Sequence, residues 1–206
     1  MYKRKLLVIG LLLVLGISSI PIVLGKHGGY YYYGSTYSPP DDGVSAVIKT
    51  INPSMSAGNQ FYQWPSAVTS YTGPYWVQVG YGKSATTSYA LKFYREKWDI
   101  NGHSGVQWKT VGPTSGNTYH YYCERSGSTW YVGVTNIFQN SYSLSPYVPV
   151  DYQAMTESTD TALSIAGSDF NELSYKNGND WNFWDRHLAL KTDYTFTEDG
   201  HYHWYK

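Results

Sequence analysis

The sequence predicts an all-β protein built as two packed antiparallel sheets. Three observations carry this reading. Tyrosine is the commonest residue, with 23 copies beside eight tryptophans and twenty glycines, and aromatic and β-branched side chains suit a pleated, half-buried surface. From Gly43 onward, short alternating or apolar runs recur between Gly, Pro and Asn turn signals. After residue 25 no long helical periodicity is found. About ten strands in one domain exceed a small open sheet, so they stack as two sheets.

Residues 1–25 read as an N-terminal signal helix. Met1 to Lys5 is basic, Leu6 to Leu24 is apolar, and Gly25 offers a small residue at a cleavage point. An uncleaved N-terminal anchor is the alternative, since the run is just long enough to span a bilayer. Either way the rest of the chain is expected to be secreted or at the cell surface. Residues 26–43, rich in Tyr, Gly and Pro with Pro39-Pro40 near their end, read as a linker. Residues 44–206 are expected to form a single β-sandwich domain.

Within that domain, residues 44–50 form the first predicted strand, closed by Asn52-Pro53. Residues 61–67 read as irregular or as a short strand, leading to Thr72-Gly73-Pro74. Residues 75–81 form a strand that turns at Gly82-Lys83-Ser84. Residues 88–99 alternate well, with Tyr94, Glu96 and Trp98 on one face and Phe93, Arg95 and Lys97 on the other. Asn101-Gly102 predicts a hairpin into 106–111. Strands over 118–125 and 129–136 follow, joined at Ser126-Gly127-Ser128. The last group covers 152–158, 163–166, 170–175 and 189–196.

The most informative strand is Tyr75-Trp76-Val77-Gln78-Val79-Gly80-Tyr81, which sets one polar amide among apolar and aromatic residues. Trp76, Gln78 and Gly80 share one face, with Tyr75, Val77, Val79 and Tyr81 on the other. An unpaired buried amide costs about 1–3 kcal/mol. Gln78 therefore either has a fixed hydrogen-bonding partner or looks into a groove where a ligand supplies one.

Charge excludes some functions. Removing Lys3, Arg4 and Lys5 leaves 12 basic residues against 15 acidic ones, without a Lys/Arg cluster. Neither nucleic acid nor an anionic membrane surface is the expected partner, except for a membrane held through an uncleaved N-terminal segment. Cys123 is the single cysteine, read as a buried structural thiol, so no intramolecular disulfide forms. No phosphate-binding loop and no Gly-x-Ser-x-Gly elbow is present. His201 and His203 are read as solvated tail residues and His103 as exposed in a turn. No metal site and no cofactor is expected.

Gln78-Val79-Gly80, the aromatic strand over 89–98, a Tyr-rich strand and Trp130 on a hairpin together resemble the concanavalin A-like jelly roll. In order along the chain they are most similar to the glutamic peptidases of the eqolisin group, over about residues 70–160. In that family a Gln-x-Gly strand supplies a catalytic glutamine and a late strand supplies a catalytic glutamate after an alanine. The resemblance implies an endopeptidase active in acid, with catalytic roles for Gln78 and for Glu157 in Ala154-Met155-Thr156-Glu157. It also implies a substrate groove lined by Trp76, Tyr94, Glu96 and Trp98. Two features depart from the family. Its Trp-Tyr-Glu-Trp run is replaced by Phe93-Tyr94-Arg95-Glu96, and Glu157 is followed by Ser158-Thr159-Asp160.

In such a site the carboxylate would act as general base on a water and then as acid toward the leaving amine. The amide would donate to the oxyanion, and an extended polypeptide would lie in the groove. The alternative occupant of an aromatic groove is a polysaccharide, held by stacking on tryptophans in a non-catalytic, lectin-like or structural surface protein. Glycoside hydrolysis would need two carboxyls about 5–9.5 Å apart, and no Glu-x-Asp-x-x-Glu spacing is present.

Overall fold

The computed structural model describes residues 26–32, 42–73, 75–190 and 193–206. The expected signal helix and the Pro39-Pro40 end of the expected linker lie outside these residues. In chain order the strands are β1 (Lys26–Tyr32), β2 (Gly43–Lys49), β3 (Phe61–Ser70), β4 (Tyr75–Lys83), β5 (Lys92–Asp99), β6 (Gly102–His103), β7 (Gln107–Trp108) and β8 (Thr118–Ser126). They continue with β9 (Thr129–Val134), β10 (Phe138–Ser143), β11 (Asp151–Ser158), β12 (Asp169–Asn177), β13 (Asp180–Phe183), β14 (Leu188–Leu190), β15 (Thr197–Glu198) and β16 (Trp204–Tyr205).

They form two sheets. One runs β14-β1-β11-β3-β4-β5-β6, with β7 also on β5, and the other runs β10-β9-β8-β2-β12-β16-β15, with β13 on β12. The pairings among the described residues are antiparallel. The core lies between the sheets. Val77, Val79 and Tyr81 of β4, Phe61 and Ala67 of β3 and Phe93 of β5 meet Val44, Ala46 and Ile48 of β2, Tyr121 and Cys123 of β8, and Trp130 and Val132 of β9. The alternation expected for residues 75–81 holds, and that for 88–99 holds from Lys92 onward, with the odd-numbered set of each strand turned inward; residues 88–91 are turn and coil instead, with Ser88 and Tyr89 in the left-handed region.

Several elements differ from the sequence reading. Part of the expected linker is strand: β1 pairs with β11 from Lys26↔Ser158 to Tyr32↔Tyr152, and Tyr30 and Tyr32 are buried. Tyr30 stacks near Trp204 and Tyr32 near Tyr175 and Trp184, so its apolar payload comes from rings rather than from an aliphatic pattern. Residues 61–67 belong to a central strand even though Pro65 has no N–H to give. β3 keeps its pairing with β11 throughout and meets β4 at Gln63 and again at Ser66. Residues 163–166 are turn and coil, with Leu163 and Ile165 still buried. Of 189–196, only the first residues join β14. β10 went unread because its inward residues, Phe138, Asn140 and Tyr142, alternate with Gln139, Ser141 and Ser143 and include a polar member.

Candidate active site

The second face of the β11-β3-β4-β5 sheet turns away from the core and carries its own aromatic layer. Tyr62, Trp64, Tyr94 and Met155 cluster there with Val106 and Trp108 packed against them. Strand register sets the order of side chains on this face. Gln153, Ser66, Gln78 and Glu96 form one cross-strand row. Trp76, Trp98 and His103 form the row on one side of it. On the other side come Met155 with Trp64, and Gly80 with Tyr94 and Trp108. Glu157, Tyr62 and Gly82 form the next row.

Glycine in the Gln78-Val79-Gly80 segment has a steric reason. A Cβ on Gly80 would stand 2.2 Å from the Gln63 carbonyl oxygen and 2.7 Å from the Trp64 Cβ. A Cβ on Gly82 would meet the Tyr62 ring at 2.7 Å. The two glycines leave the room that lets Tyr62 and Trp108 stack at 5.7 Å and Tyr94 meet both edge-on.

Gln78 is buried and has a fixed partner. Its Nε2 donates to Glu96 Oε2 at 2.7 Å and makes a long 3.5 Å contact to the Tyr94 hydroxyl. The other Glu96 oxygen is met by His103 Nε2. The His103 ring stacks on Trp98 at 5.1 Å, and Trp76 packs edge-on against Trp98 at the same separation. Four of the six residues singled out from sequence, Gln78, Tyr94, Glu96 and Trp98, are therefore one connected group, with Trp76 against it.

Glu157 stands on the same face, one row beyond Tyr94, and is not bonded to Gln78. Among the described residues neither a cation nor a hydrogen-bond donor meets its carboxyl. Burial, and secondarily the negative charge of Glu96, push that carboxyl up from 4.5 to about 7. The phenols between the two acids respond in kind: burial first, then the charges of Glu157 and Glu96, raise both Tyr62 and Tyr94 well above the usual tyrosine range. Both hydroxyls stay protonated donors. The Tyr94 hydroxyl thus touches the Gln78 amide while feeling the Glu157 charge.

His103 is the residue that sequence reading missed. The Asn101-Gly102 turn signal predicts an exposed position for it, but the two loop residues are Ile100 and Asn101, one earlier than that signal implies, so that Asp99 pairs with Gly102 and Trp98 with His103. The Asn101 N–H donates to Asp99 Oδ1 at 2.9 Å, which closes the loop at that point. The available signal was the register itself, counted back from the turn. The tail histidines are also less free than expected: His203 contacts Asp169 at 3.1 Å, and His201 contacts His187 at 3.1 Å. Cys123 is buried between the sheets near the Pro65 and Val77 carbonyls, and burial pushes its thiol far up, which removes it as a nucleophile.

No protein-family model and no curated protein matches the chain. Solved structures do. Scytalido-glutamic peptidase with a transition state analogue inhibitor superposes with a TM-score of 0.68 at 12% identity, over 88% of this chain and 97% of that one. The same enzyme with a peptide-based transition state analogue gives 0.63 at 10% identity, over 88% and 98%. SCP-B, a member of the Eqolisin family in complex with the tripeptide Ala-Ile-His, gives 0.58 at 11% identity, over 88% and 97%. The resemblance read from the Gln-x-Gly strand is therefore present in the fold, along nearly the whole length of these peptidases.

Proposed function

We propose that this chain is an exported endopeptidase of the glutamic type, acting on an extended polypeptide laid across the β11-β3-β4-β5 face. The observation that carries the reading is Glu157: a carboxyl without a partner among the described residues, titrating near neutrality, on the face that also holds a buried amide donor. Glu157 is half-buried and its oxygens are not among the fully enclosed ones, so the carboxyl is open to a water and a substrate. An unbonded acid with a strongly shifted pKa is what acid–base chemistry requires. The likeness of fold to the glutamic peptidases supports the same reading.

The reaction follows from these groups. The Glu157 carboxylate takes a proton from a water, whose oxygen forms a bond to the peptide carbonyl carbon. The second N–H of Gln78, held only by its long contact to Tyr94, donates to the oxyanion. As the C–N bond breaks, Glu157 returns the proton to the leaving amine, which leaves an acid and an amine as products. Since the base form of Glu157 disappears as pH falls below about 7, the working range lies nearer neutrality than the acid range implied by the resemblance.

The test is cleavage of an unfolded protein by the full chain from about pH 3 to pH 8, with Glu157→Gln beside it. Cleavage that weakens by about tenfold per unit below pH 6 and is lost in the variant supports the proposal. Undiminished cleavage by E157Q, or none by the folded parent chain, rules it out and turns attention to polysaccharide binding on the same face.

A further inference from the structure

We propose that His103 is a positioning residue of this site, which acts through Glu96 to fix which way round the Gln78 amide sits. The inference rests on the peptidase reading of Gln78 and Glu157. Its starting point is the near-identity in size of an amide oxygen and an amide nitrogen, which leaves packing unable to choose between them. Hydrogen bonding chooses instead. A carboxylate can only accept, so Glu96 Oε2 at 2.7 Å compels Gln78 to present its nitrogen.

That choice is only as firm as Glu96. The terminal torsion of a glutamate is broad, and a carboxylate held by one oxygen can swing. Here the second oxygen is taken by His103 Nε2. The imidazole is itself immobilised, face-on against Trp98 and flanked by Trp76 at 5.8 Å. The backbone around it is latched to β5 through Trp98↔His103, and the next residue closes the latch: Lys97 N–H donates to Ser104 Oγ at 3.0 Å, and Ser104 N–H donates to the Lys97 carbonyl at 2.9 Å.

The consequence lies at the reacting carbonyl. One N–H of Gln78 is spent on Glu96, and the other, only 3.5 Å from the Tyr94 hydroxyl, remains for the substrate. If Glu96 swings, the amide can turn over and present oxygen to a developing oxyanion, which repels it. The loss falls on the transition state and leaves ground-state binding alone.

The experiment compares His103→Phe, which keeps a ring against Trp98 but has no N–H, with His103→Gln, which restores a donor toward Glu96. kcat and KM are measured on one peptide substrate for the full chain, and the side-chain amide protons of Gln78 are followed by NMR. H103F should lower kcat about tenfold at unchanged KM, a fraction of the roughly 10²–10³ that loss of a whole oxyanion donor costs. H103Q should recover most of it. The Gln78 amide protons should keep one sharp, hydrogen-bond-shifted pair of signals in the parent and in H103Q, and in H103F both should broaden and move toward the shifts of an unbonded amide. Should H103F not fold, His103→Asn, whose amide is too short to reach Glu96, takes its place. Parental kcat and unchanged Gln78 signals in the donorless variant overturn the inference, while an inactive E157Q would leave the peptidase reading standing. An active E157Q overturns the peptidase reading instead, and the Gln78 signals then decide alone whether His103 orients the amide.

Discussion

Glu157 also leaves a mark on stability. Its folded pKa, about 7, lies above the ordinary 4.5, so between those values the folded chain binds a proton that the unfolded chain releases. Stability from this group is therefore present in acid and lost as pH rises through the window, after which a charged, half-buried carboxylate is carried at constant cost. Glu157→Gln should be more stable than the parent above pH 7 by about 1–3 kcal/mol, with the difference vanishing below about pH 4.5, as urea unfolding at several pH values would show. A variant that is equally or less stable at pH 8 would mean that the carboxyl is solvated or paired. Legibility differed sharply between residues here. Gln78 announced itself as a lone polar group in an apolar strand. Glu157 lies among polar neighbours on β11, where alternation says little, and only the family resemblance pointed to it. His103 depended on the exact residues of a hairpin loop, and a one-residue error there moves its partner two positions along β5.

β4 shows how an element can be set by what it lacks. Gly80 and Gly82 leave the floor over which Tyr62, Tyr94 and Trp108 fold. Gly80→Ala forces a methyl against the Gln63 carbonyl, backbone that cannot move aside without breaking the β3–β4 pairing. We expect a loss of about 1–3 kcal/mol in chemical denaturation, together with lower peptidase activity, since Gln78 is two residues away. An unaffected unfolding midpoint would show that the strand can shift freely at this point. Strands with strong alternation, β4 and β5 above all, were readable in type and face. β1, β3 and β10 were not, for three separate reasons: a tyrosine run with the composition of a spacer, a proline in the middle, and a polar residue on the buried side. In each, contacts supplied from elsewhere in the chain override a weak local pattern.

At the scale of the molecule, the sheets are closed by distant segments. The last strand, β16, inserts Trp204 into the core, stacked on Phe170 at 3.8 Å and packed against Phe196 and Tyr30. Trp204→Ala should cost about 3–5 kcal/mol, read as a lower unfolding midpoint. A cost under 1 kcal/mol would mean that the C-terminal segment is not part of the core. No sequence pattern could have ordered these strands, because the sheet order joins β1 to β11 and β2 to β12 across more than a hundred residues, and pairing at that range has no local signature.

The same arrangement dictates when the site exists. Gln78 and Glu96 come from neighbouring strands joined by a short connection, so they can meet early, within a hairpin. Glu157 arrives only when β11 slots between β1 and β3, a closure with a high loop entropy that puts it among the slow steps of folding. During synthesis the amide and its acceptor can be assembled while the acid is still absent. On the proposed reading a half-folded chain is therefore harmless to its neighbours, and proteolytic competence switches on only with completion of the fold.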